Sequence, residues 1–513
     1  MKQNCRTLID CFITAARGNR HRRCVADSQK TLNYGQTLTA AIALSRKISR
    51  LAGRSDKVAI MLPPSVGAVL ANLAAAVCGR TAVNLNYTLS AQITAAAIEQ
   101  CNIEFVITSR HFLEKTKIKI ENFSFVFIED LVSNIKTLDK IRAYLSARFL
   151  PQRFLAKNNK SGIAAIIFSS GTMGTPKGVM LTDENIIANL NSIIEAIEIT
   201  KDDNLCEVLP LFHSFGFTCG LWLPIIIGAS AVYCANPFDA SEVGTNAFNN
   251  KSTILFAPPT FLLNYVKRVK ETDFANLRLV VGGAEKLKKQ TADLFEQKFG
   301  IRPFEGYGAT ELSPAVAINV PRTNKDGTVG RPLPNIEIKI INPYDGGRLP
   351  DGQSGLIFVK GKNVMAGYFN MPQETADVIQ DGWYNTGDIG FVDEDGFLTL
   401  TGRLSRFSKL GGEMVPHIGV EDAFLNALGT GEQLVAVTAI PDEKKGEELI
   451  VFHLPQAGTA EELHHLISKS SLPNLWKPRP NNYIRIEKMP MLGSGKLDVA
   501  ELHRIALELK TPT

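Results

Sequence analysis

Short β-rich runs alternate with longer helical patterns through the first three hundred residues, and this limits the fold more than any other feature. The runs are KVAIML, FVIT, FVFI, AAIIFSS, SAVYC, STILFAP and LRLVVGG, with stretches such as VGAVLANLAAAVCG and NIIANLNSIIEAIEI between them. Apolar strands alternating with helices predict an α/β fold of parallel sheets covered on both faces. Ligands of such sheets sit at the carboxyl ends of strands. From about Gly327 the texture changes: NIEIKIINPYDGGRLPDGQSGLIFVKG reads as strand, turn, strand, as in a small antiparallel barrel over about 325–400. The hairpin GFVDEDGFLTLTG follows, turning at Asp395 and Gly396. Mixed short elements after Gly402 predict a small C-terminal domain, 403–513, behind a large N-terminal one, 1–402.

At 513 residues the chain is too long for one core, and 45% hydrophobic with 21% charged residues describes an ordinary soluble globular protein. A net charge of +5, without an arginine-rich arm, gives no argument for nucleic acid. Eight cysteines without a CxxC pair suit buried thiols in a reducing cytoplasm. The apolar run Gly220–Tyr233 is too short to span a bilayer and contains Pro224 and Gly228, so buried helix and strand are expected there. A cytoplasmic protein is expected, with peripheral contact at the inner face of a membrane left open.

The stretch IIFSSGTMGTPKGVMLT, 166–182, hangs hydroxyls, glycines and one lysine between apolar segments. Glycines let backbone N–H groups close on an anion, Ser and Thr add donors, and Lys177 adds charge, so the loop reads as a phosphate cradle. It is not the common P-loop, because Lys177 lies six positions after Gly171 with Pro176 before it. In EGYGATE, Glu305–Glu311, the glycines permit close approach to a flat ligand, Tyr307 offers a stacking face and Glu311 can hold Mg²⁺. WYNTGDIG puts Asp388 in a tight turn, where its carboxylate could accept ribose hydroxyls, or could simply cap the turn. Arg403 could add donors to the same sugar. MPMLGSGKLD has Pro490 where a P-loop needs glycine and Leu497 in place of Ser or Thr, so Lys496 reads as a mobile cation on a glycine-rich tip.

These stretches, in this order from about Ala164 onward, resemble the adenylate-forming superfamily of acyl-CoA synthetases, luciferases and peptide-synthetase adenylation domains. The resemblance implies phosphate contacts at Ser169, Ser170, Gly171, Thr172 and Lys177, with Met173 and Gly174 in the same loop and Met173 in place of the usual hydroxyl residue. It implies ATP contacts at Gly283, Ala284, Glu305, Gly306, Tyr307, Gly308 and Thr310, ribose ligands at Asp388 and Arg403, and Mg²⁺ at Glu311 with Thr172. Lys496 would bridge the substrate carboxylate and the α-phosphate, and the small domain would turn about a hinge near Ser405, where serine replaces a charged residue. His213 would lie near the adenylate, or be a satisfied core histidine.

The run LPLFHSFGFTCGLWLPIIIG is apolar and aromatic with no acidic residue to meet an amino group, so an acyl tail is expected among Phe212, His213, Phe215, Phe217 and Trp222. LPLFHSFG, GAEKL, EGYGATELSPAVAINVP, GRLSRFSKLGGEMV and MPMLGSGKLD further resemble the acyl-ACP synthetase half of bacterial 2-acylglycerophosphoethanolamine acyltransferase/acyl-ACP synthetase. That branch implies a stand-alone synthetase that transfers a fatty acyl group to holo acyl carrier protein. A CoA ligase is the alternative, and a non-catalytic adenylate-binding protein a third. The carrier is acidic, so Arg406, Lys409, Lys477, Arg479, Arg485 and Lys488 are the expected docking cations, against the alternative of a solvated basic face.

Overall fold

The computed structural model describes residues 5–118, 123–155, 159, 161–169, 176–411, 413–430, 432–442, 446–491 and 497–510. Two compact units emerge, Met1–Glu337 with Val359–Tyr384, and Ile338–Phe358 with Asn385–Thr513. The boundary expected at Arg403 thus falls within the second unit.

The first unit holds two sheets. Strands Lys57–Ile60, Thr81–Asn84, Phe105–Thr108, Ser124–Phe127 and Ile163–Ser169 run parallel in a seven-stranded sheet. A nine-stranded sheet aligns Asn204–Glu207, Ser230–Tyr233, Ile254–Ala257, Leu279–Gly282 and Phe304–Gly308 in parallel. All four residues of Thr81–Asn84, Phe105–Thr108, Asn204–Glu207, Ile254–Ala257 and Leu279–Gly282 are buried. Such unbroken burial explains runs of Val, Ile and Leu without polar alternation. Both edges of the nine-stranded sheet and one edge of the seven-stranded sheet are antiparallel, so the sheets are mixed. The apolar run 220–233 forms the end of a π-helix, Gly216–Trp222, then helix Leu223–Ile227 and strand Ser230–Tyr233. Among the described residues no helix is long and apolar enough to cross a membrane. None of the eight cysteines forms a disulfide, and seven are buried.

In the second unit, Leu398–Arg403 runs antiparallel to the end of Trp383–Val392 within a five-stranded sheet. Asp393 closes the expected hairpin turn by accepting from the Asp395 and Phe397 N–H groups. Beyond it, Phe407–Leu410, Glu413–Pro416, Val435–Asp442, Gly446–His453 and Tyr483–Arg485 form another sheet. Strand alternation sends Val435, Val437 and Ala439 to a core with Phe424 and Ile467. Ala436 and Ile440 face the opposite way, to Leu502 and Ala506.

Candidate active site

Two paired strands flank the expected phosphate loop. Ile163–Ser169 and Lys177–Thr182 pair antiparallel with Ser169 opposite Lys177. Ser170, Gly171, Thr172, Met173 and Gly174 lie outside the described residues, as does Lys496. Beyond Lys177–Thr182 the short strand Gly367–Tyr368 is added antiparallel, Tyr368 opposite Val179. Lys177 Nζ lies 4.9 Å from the centroid of the Tyr368 ring. The hydroxyl of the same tyrosine donates to Glu311 Oε1 at 3.0 Å. One aromatic side chain therefore connects the cation of the loop to the carboxylate expected at Mg²⁺. Sequence reasoning missed Tyr368, whose partners Lys177 and Glu311 lie far from it in sequence.

Two buried carboxamides fix the segment that bears Glu311. Asn189 donates to the Ala315 carbonyl at 2.6 Å and accepts from its N–H at 3.1 Å. Asn363 donates to the Leu312 carbonyl at 2.9 Å. The two glycines of EGYGATE differ in kind. A Cβ on Gly308 would overlap the Pro314 carbonyl, which accepts from the Ala309 N–H at 2.9 Å. A Cβ on Gly306 would meet only ordinary contacts, the nearest at 3.5 Å. The chain's own packing thus requires glycine at 308 and leaves room for a side chain at 306. Tyr307, expected to offer a stacking face, is buried.

Glu305 is half-buried and accepts from the Leu287 N–H at 3.1 Å. Burial pushes its carboxyl up to about 7, outweighing that hydrogen bond. Leu287 follows Gly283 and Ala284, the latter in the left-handed region at φ +70°. Phe215 packs on Gly283, where a Cβ would come within 2.9 Å of its ring. Ser214 Oγ donates to Thr310 Oγ1 at 3.2 Å. The segment expected to meet an acyl tail and those expected to meet the nucleotide therefore touch at two points.

That loop turns tightly because Gly216 has no side chain: a Cβ there would overlap the Pro210 carbonyl. Beneath it, Glu207 accepts from the Leu209 N–H at 2.7 Å, and its carboxyl leaves no room for a side chain on Gly220. Burial raises the Glu207 pKa well above the usual range. Phe212, Phe217 and Trp222 are buried, with Phe212 edge-on to Tyr87 at 4.8 Å. His213 and Phe215 are partly exposed.

In the second unit, Asp388 does not sit in a tight turn but within strand Trp383–Val392, directly opposite Arg403. Its backbone N–H donates to Thr386 Oγ1, and Arg403 Nε lies 3.3 Å from Asp388 Oδ1. The two expected ribose ligands are thus brought together.

Arg406 requires correction as a docking cation. It is 9% exposed and paired with Glu421 at 2.5 Å. Inside the unit a guanidinium needs that carboxylate, so it cannot meet a partner protein. Arg479 is bound by Asp442 at 3.2 Å and Glu448 at 2.9 Å, which offsets its charge. Arg485 lies 3.5 Å from Glu487, and Lys477 donates to the Ser468 carbonyl. Lys409 and Lys488 are exposed.

Among the described residues no group of three or more His, Cys, Asp or Glu side chains could enclose a metal. Mg²⁺ bound to a nucleotide needs no such cage, because phosphate oxygens and water complete its shell beside one or two carboxylates. Glu311, with one oxygen oriented by Tyr368, fits that mode.

The profile of the AMP-binding enzyme family matches residues 12–369. A 4-coumarate-CoA ligase of Narcissus pseudonarcissus is 29% identical over 512 residues, 95% of this chain and 91% of that protein. One from Nicotiana tabacum is 32% identical over 351 residues, 65% of this chain and 64% of its own. Among solved structures, the o-succinylbenzoate CoA synthetase MenE from Bacillus subtilis, in complex with its acyl-adenylate intermediate, is similar with a TM-score of 0.82 and 25% identity, over 96% of this chain and 97% of that one. The same synthetase is known with ATP and magnesium ion.

Proposed function

The chain belongs to the AMP-binding enzyme family, and on that premise we propose that it joins a fatty acid to the phosphopantetheine thiol of acyl carrier protein, using ATP and Mg²⁺. A carboxylate oxygen attacks the α-phosphorus while the bond from that phosphorus to pyrophosphate breaks, leaving an acyl-adenylate. The deprotonated thiol then attacks the acyl carbon, and AMP departs. Such chemistry asks the protein mainly to position reactants and stabilise charge.

Ser169, Lys177 and the loop 170–174 are assigned to the phosphates. Glu311 with Thr172 would hold Mg²⁺, which neutralises phosphate charge. Glu305, Gly306 and Thr310 are assigned to adenosine, Asp388 and Arg403 to ribose, and Lys496 to the reacting carboxylate. The observation that carries the reading is Tyr368, bonded to Glu311 and lying under Lys177. A phosphate cation and a metal carboxylate must keep a fixed separation, and this ring sets it.

An acyl tail is favoured by Phe212, Phe215, Phe217 and Trp222 within one eleven-residue segment, 212–222, that contains no acidic residue. A second reading, transfer to CoA, is favoured by relatives named as CoA ligases. Purified protein with ATP, Mg²⁺ and palmitate, offered holo-carrier, apo-carrier and CoA in parallel, distinguishes them. Thioester on holo-carrier alone supports the proposal; thioester on CoA alone replaces the acceptor and leaves the adenylation step standing.

A further inference from the structure

Half of the large apolar side chains that stand exposed among the described residues, eight of sixteen, fall between Val132 and Phe154. Five of them share one helix, Thr137–Phe149: Tyr144, and beside it Leu138, Ile141, Leu145 and Phe149, which are 56%, 50%, 48% and 72% exposed. Spacings of three, four and four residues put these last four on a single stripe. Ala143 and Ala147 are buried on the other side. The helix therefore packs by its small residues and turns its large ones outward, the reverse of ordinary core packing. The exposed area is a few hundred Å², roughly that of the largest patches on monomeric proteins, which are often functional.

Positive charge surrounds the stripe. Lys140, Arg142 and Arg148 are exposed on the helix itself. From the neighbouring N-terminal segment, Arg17 donates to the Ala147 and Leu150 carbonyls, and Arg20 to the Tyr144 hydroxyl at 2.6 Å. The helix's one carboxylate, Asp139, lies 3.9 Å from Lys47.

We infer that this face docks on an anionic lipid bilayer. Its apolar side chains would enter the boundary between headgroups and acyl chains, and its arginines and lysines would meet lipid phosphates. An apolar stripe between basic residues, with an aromatic at its end, is the composition of a helix lying in a membrane interface. A second copy of the chain fits less well, because a two-fold contact would bring the same arginines against themselves. A bilayer with anionic lipids supplies counter-charge over the whole face. The inference rests on this face alone and holds whichever acid and thiol the site uses.

Vesicle flotation of the full chain tests it, with phosphatidylcholine vesicles and with vesicles that also contain phosphatidylglycerol. The wild type should float with the anionic vesicles and not the neutral ones, and added salt should weaken the binding. Leu145→Glu with Phe149→Glu should lower vesicle affinity at least tenfold while leaving acid-dependent pyrophosphate exchange in solution unchanged. Arg142→Glu with Arg148→Glu should likewise weaken binding to the anionic vesicles. Failure of the wild type to float, equal floating with neutral vesicles, or undiminished floating of the Leu145/Phe149 variant overturns the inference. So does a wild-type dimer that this variant converts to monomer.

Discussion

The hydroxyl of Tyr368 donates to Glu311 Oε1 at 3.0 Å, across 57 residues of sequence. The ring that carries it lies 4.9 Å from Lys177 Nζ, a contact worth about 0.5–1 kcal/mol where partly exposed. Tyr368→Phe keeps the ring and removes the hydrogen bond to a charged acceptor, worth about 1.5–3 kcal/mol. The variant should need roughly tenfold more Mg²⁺ for half-maximal pyrophosphate exchange, with its melting temperature lowered by about a few degrees at most. Tyr368→Ala should also raise the KM for ATP. A lowered melting temperature with an unaltered Mg²⁺ dependence would make Tyr368 a packing residue only.

The two glycines of EGYGATE should respond differently. Gly308→Ala forces the Pro314 carbonyl to move, and overpacking of this kind typically costs about 1–3 kcal/mol. Gly306→Ala meets no such obstacle and should shift stability by less than about 0.5 kcal/mol, as substitutions away from special features do. Yet it should raise the KM for ATP if the nucleotide lies against it. Thermal melts beside ATP kinetics separate the two, and a Gly306→Ala enzyme with unaltered ATP kinetics would remove Gly306 from the site.

Arg406→Ala leaves Glu421 buried without its partner, which typically costs about 3–5 kcal/mol. Denaturant titration should show that loss. For protein that remains folded, the KM for the thiol acceptor should not change. A stable variant with a raised carrier KM would restore Arg406 to the docking surface.

Glu305 adds a pH signature. Its pKa is raised from 4.5 to about 7, so the native chain retains a proton that the unfolded chain has released between those values. Its contribution therefore falls as pH rises through this window, by up to about 3 kcal/mol at 1.36 kcal/mol per unit. Glu305→Gln removes the titration. Its stability relative to wild type should increase from pH 4.5 to 7.5 in urea melts, and a constant difference would show that the carboxyl is not perturbed.

The central strands were legible because they are buried on both faces and read as continuous β-branched and apolar runs. Strand Lys177–Thr182 was less so, since a glycine-rich loop ending in a lysine suggests a following helix as readily as a hairpin. Tyr368 could not be found locally, because both its partners come from remote sequence. Arg406 misleads for a different reason. Its basic neighbours in GRLSRFSK suggest a surface, yet a short 3₁₀ turn, Leu404–Arg406, brings the guanidinium inside to Glu421 just before the strand Phe407–Leu410. A motif alone also leaves out packing: Gly308 has the Pro314 carbonyl where a Cβ would stand, and Pro314 lies outside EGYGATE.

Acid-dependent pyrophosphate exchange into ATP, measured with palmitate and 4-coumarate and without any thiol, tests the central claim most directly. The account predicts exchange that requires Mg²⁺, is supported by palmitate well above 4-coumarate, and is lost in Lys177→Ala and Glu311→Gln. Exchange with 4-coumarate and none with palmitate would contradict the acyl-tail assignment, and full exchange in both variants would contradict the site itself.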